Sequence, residues 1–248
     1  MDNQVSSKGV AIAVIALGVG VSLLCDIGGS AANRQIVERV IQEETLANAL
    51  PEQELFVGYE QLSDPLCVMV NGEVALPEDW GFIPFLVDDE VVDRRMAEDL
   101  SSMMQAAAED NVWLWVASGY RSRERQQWIL ETAIENYRQA GMGEKEAETE
   151  ALKTIALPGH SEHETGLAID FNQVSGDFAE TEAYRWLQEH GTEYGFVQRY
   201  RAEKVSITGV EEESWHYRYV GKKAAQEMKR LDQCLEEYVL YRKAMEEK

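Results

Sequence analysis

Ser161-Glu-His-Glu-Thr-Gly-Leu-Ala-Ile-Asp170 is the stretch whose reading decides the fold. Its second half alternates. Leu167, Ile169 and Phe171 are apolar, with Ala168 and Asp170 between them. That is the signature of a strand, and it puts Asp170 on the face opposite the apolar side chains. Gly166 lets the chain turn after His163 before the strand begins. His163 and Asp170 are therefore not the two ligands of a helical His-Glu-x-x-His motif, in which residues four apart share one face.

A second segment, Glu213-Ser-Trp-His216, completes the pattern. Trp215 to Val220 again alternates as a strand does, and Glu213 falls in a bend just ahead of it. His163, Asp170 and His216 then form a His/Asp/His ligand set. Three protein ligands of this kind suit a catalytic zinc, whose fourth position stays open for water. Glu213, beside the last ligand, has the reach of a general base. Only four histidines occur in the chain, and three of them (His160, His163, His216) lie in these two segments. His160 reads either as a residue supporting a ligand from behind or as a loop residue at the mouth of the site, with a structural role preferred. Glu162 and Glu164, flanking a ligand, read as exposed.

Outward from these segments, short strands and helices mix with few long crossover units. This predicts an α+β fold: a small, mostly antiparallel sheet with helices packed around it and the metal site at the sheet. Strands are expected at Leu66–Val70, Trp113–Ser118 and Gly195–Tyr200. Apolar spacing predicts helices over Val91–Asn111, Arg123–Ala140, Glu144–Ile155 and Thr181–Gly191, with one closing helix from Lys222 to Ala244.

Composition narrows the function. A formal charge of −22 leaves no basic stripe to neutralise phosphates, which argues against a nucleic-acid partner. The 45% hydrophobic content is enough for a packed core. Of the cysteines Cys25, Cys67 and Cys234, the last two read as buried free thiols rather than a disulfide.

The chain divides into a tail (1–8), an uncharged apolar run (9–25), an acidic stalk or linker (26–62) and a folded domain (63–248). The apolar run is at the short end of what spans a bilayer. An uncleaved anchor is preferred over a cleaved signal segment. Either reading places the domain outside the cytoplasmic membrane, and the preferred one makes the protein single-pass with an extracellular catalytic domain.

Ser-x-His-x-x-Gly-x-Ala-x-Asp, followed by Glu-x-Trp-His and preceded by Ser118-Gly-Tyr-Arg-Ser122, resembles the VanY-type D-alanyl-D-alanine carboxypeptidases. These belong to a zinc peptidase superfamily that includes VanX and VanXY. The resemblance runs over roughly residues 66–240. It implies zinc as cofactor, held by His163, Asp170 and His216, with Glu213 as general base and Arg121 as the cation that stabilises the oxyanion. It also implies that Ser161 and Gln126 hold the substrate's terminal residue and carboxylate. Tyr120 and Tyr217 are further candidates to line the pocket. The implied substrate is a peptidoglycan stem peptide or its precursor, and the family name also implies a link to glycopeptide resistance. L,D-carboxypeptidase, D,D-dipeptidase and endopeptidase are the alternatives, with a non-catalytic wall-binding module ranked below them.

Overall fold

A computed structural model of the protein describes residues 62–246. The tail, the apolar run, Cys25 and all but the last residue of the stalk lie outside the described residues. Among the described residues, no helix is long and apolar enough to cross a membrane.

The centre is a four-stranded antiparallel sheet of β3 (Val116–Ser118), β4 (Ala168–Phe171), β5 (Phe196–Tyr200) and β6 (Glu213–Tyr219), in the order β3-β4-β6-β5. Ahead of it in the chain stands a hairpin of β1 (Pro84–Val87) and β2 (Glu90–Asp93). The helices are α1 (Arg94–Glu109), α2 (Arg123–Gln139), α3 (Glu144–Ala151), α4 (Glu182–His190), α5 (Val205–Thr208), α6 (Lys222–Leu231) and α7 (Leu235–Glu246). The α+β reading with a small antiparallel sheet agrees with this arrangement.

One face of the sheet is a dry core. Leu167, Ile169 and Phe171 of the β4 segment, Phe196 of β5 and Tyr217 and Tyr219 of β6 pack with Val92 and with Met96, Leu100 and Met103 of α1. Each large apolar side chain so buried contributes about 1.5–3 kcal/mol. A second cluster joins Cys67 and Met69 to Val220, Met228, Leu235 and Val239, seating α6 and α7. Cys67 and Cys234 are both buried free thiols, as expected.

Four local expectations differ from the structure. The helix expected from Val91 begins at Arg94, because Glu90–Asp93 pairs with Pro84–Val87 as a strand. Asp88 and Asp89 both have positive φ, at 50° and 66°, and make the tight turn between them. Asp93 ends the strand by capping the helix, its carboxylate accepting from Arg95 N at 2.8 Å. Leu66–Val70 is not a strand: Pro65–Cys67 is a 3-10 turn, and the buried residues after it run across the molecule without pairing in a sheet. The sheet strand after α1 starts only at Val116, leaving Trp113 72% exposed. The closing helix is two helices, broken at Asp232, which adopts φ 53° and ends α6.

Candidate metal centre

The other face of the same strands is polar. Asp170 and His216 are direct register partners on β4 and β6, and Ser118 of β3 pairs with Asp170 from the far side. Because side chains alternate, the residues that bury Ile169 and Tyr217 on one face put Asp170 and His216 together on the other. Glu213 lies within β6, opposite Tyr200 of β5, rather than in a bend ahead of the strand.

His163 reaches the site from a 3-10 turn, Glu162–Thr165, that ends at Gly166. Gly166 has φ 74°, and a Cβ there would stand 3.0 Å from the Phe82 ring and 3.2 Å from Asp93 N. Only glycine fits that turn. The Gly166 carbonyl accepts from Asp93 N at 2.8 Å, which ties the ligand loop to the start of α1. His163 Nδ1 is 2.7 Å from the Gly119 carbonyl, so the ring presents Nε2 to the site.

The three ligand atoms of His163, Asp170 and His216 lie within 4.8 Å of one another, and all three residues are buried. Asp170 Oδ2 is 3.4 Å from His163 Nε2, and its Oδ1 is 3.0 Å from His216 Nδ1. Two imidazole nitrogens and a carboxylate oxygen converging in this way fit a divalent metal such as zinc. Burial disfavours charge on Asp170, yet hydrogen bonds and charge from His163 and His216 hold its carboxyl well below the usual range. His163 is pushed down by burial, against the charge of Asp170. His216 goes the other way, to about 9: burial lowers it, but the neighbouring carboxylates of Asp170 and Glu162 raise it more.

Glu213 Oε2 lies 3.6 Å from His216 Nδ1. Burial pushes its carboxyl up to about 7, Asp170 adding to the shift while His216 and Arg121 oppose it. A carboxylate poised near neutrality beside a ligand set is placed for proton transfer.

These groups line one cavity of about 940 Å³. Arg121, Gln126, Ser161 and Tyr120 also line it. Arg121 donates from Nη2 to Asp170 Oδ2 at 2.7 Å and from Nε to Ser118 Oγ at 3.0 Å. Tyr120 packs on Phe82, with ring centroids 4.5 Å apart. Gln126 donates from Nε2 to the Ala156 carbonyl at 2.8 Å, and its Oε1 is buried without a partner. His160 also lines the cavity, with Nδ1 2.7 Å from the Asn71 carbonyl.

Two expectations about the site are corrected. Tyr217 does not line the cavity. It alternates with His216, so its ring meets Phe171 in the core and its hydroxyl is 3.0 Å from Gln188 Nε2. Glu162 and Glu164 are buried, not exposed. Glu164 accepts from Gly159 N at 2.7 Å and orders the loop before the ligand turn. Glu162 accepts from Arg199 Nε and Arg218 Nη1, both at 2.8 Å. Arg199 also grips Glu236 of α7 through both terminal nitrogens.

Sequence reasoning missed this buried quartet of two arginines and two glutamates. Its signal lay in the strands themselves. Arg199 and Arg218 sit between residues of strands expected to be buried, and a buried arginine requires a carboxylate. Tyr200 was also missed; its ring lies 5.1 Å from that of His216 and it lines the cavity.

Two histidines and an aspartate around one point, a carboxylate beside them and a large adjoining cleft define a metal-dependent hydrolase site. The pattern of the VanY family, described as D-alanyl-D-alanine carboxypeptidase, matches residues 89–222. The chain belongs to this family. It is 38% identical over 199 residues to a D-alanyl-D-alanine carboxypeptidase of Enterococcus faecalis, covering 80% of this chain and 72% of that one. Among solved structures it resembles a vancomycin-resistance D,D-pentapeptidase VanY in complex with Zn(II), with TM-score 0.65 and 38% identity over 71% of this chain and 99% of that one. It also resembles the LD-carboxypeptidase LdcB, with TM-score 0.60 and 33% identity over 73% of this chain and 90% of that one.

Proposed function

We propose that this chain is a zinc-dependent carboxypeptidase that removes the terminal D-alanine from peptidoglycan stem peptides or their precursors. The observation that carries the reading is the buried His163, Asp170 and His216 cluster, with Glu213 at 3.6 Å from His216 and a cavity large enough for a peptide end. His163, Asp170 and His216 would hold the zinc, which supplies Lewis-acid polarisation and makes water acidic enough to attack at neutral pH.

Each protein group then has a task. Glu213 takes the proton of the attacking water and returns it to the leaving amine of the last residue. Arg121, fixed by Asp170 and Ser118, sets a cation near the developing oxyanion. Ser161 is a hydroxyl donor for the free terminal carboxylate. Gln126 plays a different part from the one its residue type suggests. Its nitrogen is engaged by Ala156, so the free buried atom is an acceptor, which suits a substrate N–H rather than a carboxylate. Tyr120 forms part of the wall.

The apolar run 9–25, read as an anchor, would hold the domain at the outer side of the cytoplasmic membrane, where stem peptides end in D-alanine. A free dipeptide is made inside the cell, so the anchor favours a carboxypeptidase over a dipeptidase. The likeness to LdcB supports a second reading, cleavage of an L,D bond one residue further in.

The test is to incubate the purified full chain with a stem pentapeptide, a stem tetrapeptide and D-Ala-D-Ala, and to identify the products by mass spectrometry. Tetrapeptide formed from pentapeptide is the expected result. Tripeptide formed from tetrapeptide alone would establish the L,D reading, and cleavage of the dipeptide alone would establish a dipeptidase. Membrane fractionation of the full chain against a variant lacking residues 9–25 tests the anchor; equal partitioning of the two would remove it.

A further inference from the structure

We propose that Glu162 is a positioning residue for the metal site: it accepts the Nε2 proton of His216 and so keeps Nδ1 free as the ligand atom. The inference rests on the metal reading of the site. His216 turns Nδ1 toward Asp170 and Glu213, at 3.0 and 3.6 Å, and Nε2 toward Glu162 Oε2, at 3.6 Å. Neither Glu162 Oε2 nor His216 Nε2 has a hydrogen-bond partner among the described residues, and both are fully buried. Each is therefore the other's available partner, a few tenths of an ångström beyond bonding distance. Imidazole carries its proton on one nitrogen and its lone pair on the other, so an acceptor at Nε2 dictates a lone pair at Nδ1.

The surroundings of Glu162 fix which of its oxygens does this. Arg199 Nε and Arg218 Nη1 both donate to Oε1 at 2.8 Å, which leaves Oε2 aimed at the ring. The arginines are themselves immobilised. Arg199 is held by Glu236, and Arg218 donates to the carbonyls of Leu66 and Val68 at 3.0 and 2.9 Å. Four charged side chains are thus buried directly behind one ligand. A buried ion-pair network of this kind is often no more stabilising than apolar residues of the same volume. Its retention here is accounted for by geometry: it holds a carboxylate against the second nitrogen of a metal-binding histidine. Outer carboxylates of this type hold the ligand's tautomer and ring angle.

The substitution Glu162→Gln keeps the shape but inverts the hydrogen bonding. The two arginines draw the amide oxygen, so the NH₂ group faces His216 Nε2 and favours the tautomer with the proton on Nδ1. Zinc affinity, measured by competition with a chromogenic chelator, should fall about 10–100-fold. Glu236→Gln is the control, because it weakens the same buried network without touching His216. It should lower the Tm comparably while zinc affinity stays within about twofold.

Equal zinc affinity in E162Q and the unsubstituted protein would overturn the proposal, as would an equal loss in E236Q. Should E162Q fail to fold, the zinc-loaded unsubstituted protein gives the answer by ¹H–¹⁵N NMR. The His216 Nε2 proton should be shifted downfield and exchange slowly. Rapid exchange with solvent would contradict an accepting carboxylate. If the unsubstituted protein itself binds no zinc, the metal reading fails and this inference falls with it. Binding that is indifferent to Glu162 fails the inference alone.

Discussion

The two faces of the four-stranded sheet are built from the same strands and obey different rules. On one face Leu167, Ile169, Phe171, Phe196, Tyr217 and Tyr219 close over α1. On the other, Asp170, His216, Arg199 and Arg218 are as deeply buried but polar, and most are matched by a partner. The first face stabilises by excluding water. The second trades that for placement, because desolvating charges costs nearly as much as their pairing returns. Alternation along β4 and β6 lets one residue serve the core while its neighbour serves the site.

Substitutions can break this division in order of expected effect. Glu213→Gln strikes the polar face at its reactive edge. It should lower kcat by about 10²–10⁴-fold with zinc content unchanged by elemental analysis; near-native turnover would remove Glu213 as the base. Phe171→Ala strikes the apolar face. Chemical denaturation should show a loss of about 3–5 kcal/mol, while zinc affinity of the folded protein is kept. A large loss of affinity would mean that the faces are not separable.

Tyr217→Phe probes the boundary, since Tyr217 adjoins His216 in sequence but points into the core. Removing its hydroxyl bond to Gln188 should cost about 0.5–1.5 kcal/mol and leave KM for a stem peptide unchanged. A raised KM would return Tyr217 to the pocket. The smallest effect belongs to the two buried thiols, Cys67 and Cys234. Burial pushes the Cys67 thiol up to about 12 and raises Cys234 as well, so neither is ionised at pH 8. In a Cys25→Ser background, alkylation should be negligible in the native protein and complete in denaturant. Fast native alkylation would place these cysteines outside the core.

The convergence of His163, Asp170 and His216, with Glu213 beside them, was legible because strand alternation and the turn at Gly166 are short-range properties. Asp170 was placed on the face opposite Ile169 from sequence alone, and the structure places it there. The hairpin at Asp88 and Asp89 was not legible, because two consecutive aspartates at positive φ are an uncommon choice for such a turn. Leu66–Val70 has the composition of a strand, but its side chains are split between the two core clusters, Cys67 and Met69 in one and Val68 and Val70 in the other, and that tertiary packing overrides the propensity. Tyr217 was misplaced by reading nearness in sequence as nearness to the cleft, although its own strand's period put it on the far side. Glu162 was misread because acidic residues are mostly exposed. Its partners, Arg199 and Arg218, come from strands 37 and 56 residues away, a pairing that only the folded sheet creates.

The central claim is that the polar face is a working zinc carboxypeptidase site. The direct measurement is D-alanine release from a stem pentapeptide by the purified protein, before chelation, after chelation and after zinc is restored. Release should vanish with the metal, return with zinc, and fail throughout on a substrate whose C-terminal carboxylate is blocked as an amide. Undiminished release from protein stripped of metal would contradict it.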